Sequence, residues 1–142
     1  MALELDALSD FSIDSQAVRL IRCRTAAFLI ILFGSYAKGV TRSDSDVDIA
    51  YASEEKLSAY DNFILAQELA VILGRDVDLL DLSKVSTVMK AHIVAFGKVV
   101  YCSDEVKRQY FFMKALKEYA TLSDERAVIV DSIATRGAIY AD

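Results

Sequence analysis

Apolar and polar positions along this chain switch repeatedly between a helical period and a period of two. From about Ser15 to Arg24 the pattern is helical, with Val18, Leu20 and Ile21 inward and Arg19 and Arg22 outward. The uninterrupted apolar run Ala26 to Phe33 stops at Gly34, which predicts a buried strand rather than a helix. Gly34 and Ser35 then open a short helical turn, Tyr36-Ala37-Lys38, closed by Gly39. Alternation of polar and apolar residues from Asp46 to Tyr51 predicts a second strand with one buried face. A long helical stretch follows, N-capped by Ser53 and stopped after Leu73 by Gly74. Arg75 to Leu82 alternates again as a third strand. Ser83 is expected to cap a helix reaching Phe96, with Gly97 ending it, and Lys98 to Tyr101 form a fourth strand. After Ser103 the chain reads as helix almost to its end, with a break near Ser123. The fold class is therefore α/β (α+β), a small mixed sheet of about four strands backed by helices.

Composition narrows this picture. With 142 residues, 54% apolar and 26% charged, the chain fits one domain over residues 1–142, a core of about 15–102 followed by a helical segment of about 103–142. The longest apolar run is far shorter than the roughly 20 residues of a membrane span, so no membrane association is expected. The N-terminus has no basic start and apolar stretch of a secretory signal, which implies a cytoplasmic location and reduced Cys23 and Cys102. Sixteen basic against 21 acidic residues, net −5, argue against direct nucleic-acid binding, because phosphate neutralisation needs a basic surface. The absence of proline and a mean hydropathy of +0.30 point to more apolar surface than one core hides, and part of Val106 to Ile139 is expected to dock on another protein.

The chemistry concentrates on aspartates at strand spacing. Residues two apart in a strand share a face, so Asp46 and Asp48 point together, as do Asp76 and Asp78 on the third strand. Carboxylates converging on one sheet face repel one another unless cations join them, and magnesium, an oxygen-seeking ion commonly bound with substrate phosphates, suits such a set. Upstream, the Gly34-Ser35 turn offers free backbone N–H groups and a hydroxyl at a helix start, an anion cradle. It is not a P-loop: Gly34 to Gly39 has the glycine spacing, but Val40 stands where lysine must follow. His92 reads as a structural helix residue, Asp76 as solvated, Arg19, Arg22 and Arg24 as a solvated helix face, and most of Tyr110-Phe111-Phe112-Met113 as core.

Leu32-Phe33-Gly34-Ser35-Tyr36-Ala37-Lys38-Gly39 followed by Ser45-Asp46-Val47-Asp48-Ile49 resembles the Gly-Ser, ten residues, Asp-x-Asp pattern of the DNA polymerase beta-like nucleotidyltransferase superfamily. The resemblance covers about Ser15 to Tyr101, and the lack of an appended substrate domain resembles the minimal nucleotidyltransferases (MNT) of HEPN–MNT toxin–antitoxin pairs. It implies a nucleotidyltransferase fold. Asp46, Asp48 and Asp78 would be the catalytic and metal-binding set for two Mg2+ ions, and Gly34, Ser35, Lys38 and Arg42 would contact the phosphates of ATP. Lys38 stands where relatives often carry arginine, which keeps the charge without the bidentate grip. The implied activity is Mg-ATP-dependent transfer of AMP to a tyrosine of a cognate HEPN toxin. Two alternatives stand beside it: a small-molecule nucleotidyltransferase of the aminoglycoside-modifying kind, and an antitoxin that blocks its partner sterically.

Overall fold

The computed structural model describes residues 15–34 and 46–140, with side chains through Arg126. Eight elements follow in order: α1 (Ser15–Thr25), β1 (Leu29–Phe33), β2 (Val47–Ala52), α2 (Ala59–Leu73), β3 (Val77–Asp81), α3 (Thr87–Phe96), β4 (Lys98–Cys102) and α4 (Glu105–Tyr140). The helical turn expected at Tyr36 to Lys38 lies outside the described residues.

The strands form a mixed sheet in the order β3-β2-β1-β4. β1 runs antiparallel to both β2 and β4, whereas β2 and β3 are parallel, joined by α2 as the crossover. Alternation divides the core between two faces. Ile30 and Leu32 of β1, Val47, Ile49 and Tyr51 of β2 and Leu79 of β3 pack with Ala17, Val18 and Ile21 of α1 and Leu65 and Leu69 of α2. Leu29, Ile31, Ala50 and Ala52 turn to the other face, against Ile93 of α3 and the partly buried Phe111 and Phe112 of α4. The strands are thus covered on both sides, which explains why β1, read as one continuous apolar run, is buried along nearly its whole length. Exposed Arg24 and Glu68 link α1 to α2 by paired hydrogen bonds of 2.7 and 2.8 Å.

Several element boundaries differ from the sequence expectation, each for a hydrogen-bonding reason. β1 starts at Leu29 rather than Ala26, because Ala26 closes α1 with a left-handed φ of 53° and its N–H bonded to Arg22 O. Ser53 does not cap α2: its hydroxyl donates to Thr25 O and accepts from Glu55 N, so it staples the end of β2 to the end of α1. Ser58 is the N-cap, accepting from Asp61 N at 3.1 Å. Ser83 likewise bonds the buried Asp81 carboxylate through both its N–H and its hydroxyl, leaving Ser86 to cap α3. The break near Ser123 is absent, and α4 is one helix of 36 residues, about 54 Å long at 1.5 Å per residue. A lone serine is only a mild disfavour, and no glycine or proline occurs between Glu105 and Arg136.

Gly97, between α3 and β4, marks the tightest packing of this joint. A Cβ there would overlap Ile31 Cγ2 and the Ile93 carbonyl, which is fixed by its own bond from Gly97 N. Gly97→Ala is therefore expected to destabilise the domain by about 1–3 kcal/mol, measured by chemical denaturation. A loss below about 0.5 kcal/mol would mean that the joint can open without cost.

Candidate active site

The site lies where β1 ends and β2 and β3 begin. Antiparallel pairing sets Phe33, the last residue of β1, opposite Asp48, and parallel pairing sets Asp48 opposite Asp78. The two carboxylates thus sit on neighbouring strands, about 4.8 Å apart in the hydrogen-bonding direction. Both belong to the even-numbered alternation that carries Ala50 and Ala52 toward α3 and α4. Asp48 is partly buried, and Asp46, Asp76 and Asp78 are exposed. The Asp76 carbonyl accepts from Val47 N at 2.9 Å, so its backbone fixes the start of the β2–β3 ladder.

Gly34 completes the arrangement. Its φ of 72° is left-handed, and a Cβ built on it would overlap the Asp48 Oδ2 atom. Any other residue would therefore both strain the backbone and push the carboxylate aside. The missing side chain thus leaves the space that the Asp48 carboxylate occupies. Ser35, Lys38 and Arg42 lie outside the described residues.

Electrostatics make Asp48 the tense member of the group. Its carboxyl is held above the ordinary carboxylate range by burial first, then by Asp78, then by Asp46. Among the described residues, no three acidic, histidine or cysteine side chains stand gathered tightly enough to hold an ion as they are. The donor set nonetheless fits a hard divalent cation: Asp46, Asp48 and Asp78 offer only carboxylate oxygens, and a cation among them would offset the repulsion that Asp78 and Asp46 exert on Asp48.

Other residues singled out from sequence lie elsewhere. His92 is exposed on α3, its ring 5.1 Å from that of Phe96. Arg24 is engaged by Glu68, and Arg22 lies 4.4 Å over the Tyr101 ring, so this helix face is exposed yet partnered. The run 110–113 splits: Phe111 and Phe112 are partly buried, whereas Tyr110 and Met113 are 67% and 57% exposed. Both cysteines are free. Two residues that sequence patterning missed, Tyr51 and Asn62, form a hydrogen-bonded link behind the site: Tyr51 OH donates to Asn62 Oδ1 at 2.8 Å, and Asn62 Nδ2 donates to Leu79 O at 3.0 Å. No spacing signal could have revealed this pair, because the two residues meet only when α2 folds over the sheet.

Because the folded state raises the Asp48 pKa, folded protein binds more protons than unfolded protein between the two values, and this group's destabilising effect grows as pH rises from the unfolded to the folded pKa and is constant above it. It is absent below the unfolded value of about 3.9. In metal-free protein, Asp48→Asn is accordingly expected to raise the melting temperature at pH 7 and to lose that advantage near pH 3.5, both read by thermal denaturation. A variant no more stable than wild type at pH 7 would contradict the crowding of charge at this position.

Comparison with known proteins agrees with this geometry. Residues 18–106 match the family model described as polymerase beta, nucleotidyltransferase. The chain is 34% identical to protein adenylyltransferase MntA of Shewanella oneidensis over 129 residues, covering 90% of this chain and 92% of that protein. It superposes with a TM-score of 0.76 on a chain from a toxin–antitoxin complex solved with AMP-PNP, at 34% identity over 85% of this chain and 98% of that one. A second structure, tri-AMPylated Shewanella oneidensis HEPN toxin in complex with MNT antitoxin, matches with a TM-score of 0.70 and 31% identity over 92% of this chain and 98% of the other. With a glycine turn against paired strand aspartates and a family match spanning all four strands, the chain belongs to the polymerase beta nucleotidyltransferase family.

Proposed function

We propose that this protein is the adenylyltransferase antitoxin of a HEPN toxin, transferring AMP from ATP to a tyrosine hydroxyl of its cognate toxin. The observation that carries the reading is the pairing of Asp48 with Asp78 beside Gly34, in a chain that aligns over nine-tenths of its length with a protein adenylyltransferase. Asp46, Asp48 and Asp78 would hold two magnesium ions, which when bound polarise phosphoryl oxygens and offset the charge of the triphosphate. Asp78, exposed on the sheet's edge strand, takes the proton from the acceptor hydroxyl. The acceptor oxygen bonds to the α-phosphorus, the bond from that phosphorus to the bridging oxygen breaks, and pyrophosphate leaves. Gly34 keeps the chain close to Asp48, and on the sequence pattern Ser35, Lys38 and Arg42 grip the phosphates. The described residues contain no helix long and apolar enough to cross a membrane, and a cytoplasmic location, where ATP is available, fits both the reaction and the free cysteines.

AMP transfer from radiolabelled Mg-ATP to purified cognate toxin tests this directly. Asp46→Asn or Asp48→Asn is expected to abolish transfer while circular dichroism stays unchanged, because each removes a charged oxygen ligand. Asp78→Asn is expected to slow transfer by roughly a hundredfold or more, and Asp76→Asn by less than roughly tenfold. A large loss at Asp76 alone would give the proton-accepting role to Asp76 instead of Asp78. If the Asp48→Asn variant still neutralised the toxin without modifying it, the antitoxin effect would be steric.

The toxin also needs a docking surface. Val106, Tyr110 and Met113 recur at helical spacing on α4 and are 73%, 67% and 57% exposed, which supports the expected use of this helix for a partner. Tyr110→Glu combined with Met113→Glu is expected to leave folding and Mg-ATP binding intact and to remove co-purification with the toxin and its modification. Normal modification by the folded double variant would move the interface off this face.

A further inference from the structure

β3 is an edge strand, held by β2 on one side only. Val47 N bonds Asp76 O, and Leu82 N bonds Tyr51 O, so the even-numbered residues of this segment turn their backbone groups toward β2. Odd-numbered residues turn theirs to the open edge, the Leu79 carbonyl among them. Asn62, in the first turns of α2, donates to that carbonyl at 3.0 Å and is itself oriented by Tyr51, which is fully buried on β2. Burial and the neighbouring Asp81 push the Tyr51 pKa up to about 12, so its hydroxyl remains a donor throughout the working pH range. The link therefore runs from the strand that carries Asp48, through the helix, to the outer edge of the strand that carries Asp78. Leu79 directly follows Asp78, and without Asn62 the strand would be free to fray outward on its unpaired side.

We propose that Asn62 is a positioning residue for the transfer reaction: by clamping the Leu79 carbonyl it holds the edge strand close against β2 and so keeps Asp78 beside Asp48. This rests on the assignment of Asp78 as proton acceptor. Asn62 touches no reacting atom and acts only through β3, so its loss should slow the chemical step without weakening nucleotide binding. Asn62→Leu is expected to lower kcat for AMP transfer roughly tenfold, the usual effect of losing the one hydrogen bond that reaches β3, with KM for Mg-ATP within roughly twofold of wild type. Should the leucine variant fold poorly, Asn62→Asp serves in its place: it keeps an oxygen for Tyr51 to donate to but sets a carboxylate oxygen against the Leu79 carbonyl, and should lower kcat at least as far. Ser53→Ala, which breaks the tie from the far end of β2 to Thr25 O and touches neither Asn62 nor the aspartates, is the stability control: it should lower the melting temperature while lowering kcat by less than roughly twofold.

A purely structural role for Asn62 would instead make kcat fall in step with melting temperature across all three variants, and that result would overturn the proposal. So would an Asn62→Leu enzyme with kcat within roughly twofold of wild type. Asp78→Asn, assayed alongside, separates the role of Asp78 from that of Asn62. If it is fully active, the assignment of Asp78 fails and the clamp fails with it. If it is inactive while both Asn62 variants turn over normally, the clamp alone is refuted.

Discussion

Two like-charged carboxylates held side by side on adjacent strands form an arrangement that a folded protein does not adopt for stability. Asp48 and Asp78 face each other in register, with Asp46 close enough to add its own repulsion, and Asp48 is partly buried as well. Each of these features raises the free energy of the charged state in the absence of a cation. Most of the surrounding architecture can be understood as what is needed to keep this strained pair in place. The sheet is covered on both faces, its strands are pinned by helices, and its local glycine removes the one side chain that would displace Asp48.

The two-sided cover matters because it makes register expensive to change. Slipping β2 by one residue would turn Val47, Ile49 and Tyr51 out of one core and bring Asp48 into it, so the apolar alternation that builds the sheet also aims the aspartates. β2 is central and has pairing partners on both sides, whereas β3 is paired on one side only. The more buried carboxylate therefore sits on a strand paired on both sides, and the carboxylate assigned to proton transfer sits on the strand with an open edge. Exposure at that edge gives a bulky protein acceptor room to approach, and a strand left open on one side is where an extra tie from α2 has most effect.

α4 has a different relation to the rest. Its first turns bury Ala115 and partly bury Phe111 and Phe112 against the face shared with α3, and its length far exceeds the width of a four-stranded sheet. A helix of this length gains little from the domain core beyond its N-terminal part, since helical stability in proteins comes mainly from packing. The exposed Tyr110 and Met113 lie on the part that is anchored, where a partner would meet a rigid surface.

Much of this was legible from local sequence pattern. Alternation identified β2 and β3 and the shared face of Asp46 and Asp48; Gly34 and the spacing to the aspartates carried the family resemblance; Gly74 and Gly97 marked the helix ends. These signals are legible because side-chain periodicity and glycine conformations are properties of a few neighbouring residues. What only the tertiary structure decided were the choices made by groups with several possible partners. Ser53 and Ser83 had the composition of helix caps, but the Thr25 carbonyl and the Asp81 carboxylate, brought near by folding, took their hydroxyls. Whether Asp78 or Asp76 stands opposite Asp48 depended on the β2–β3 register, which is set by packing across the crossover rather than by spacing within either strand. The Tyr51–Asn62–Leu79 link joins three elements and leaves no trace in any one of them. Sequence determined which residues could bear the chemistry; long-range pairing, which no local pattern encodes, determined which of them meet.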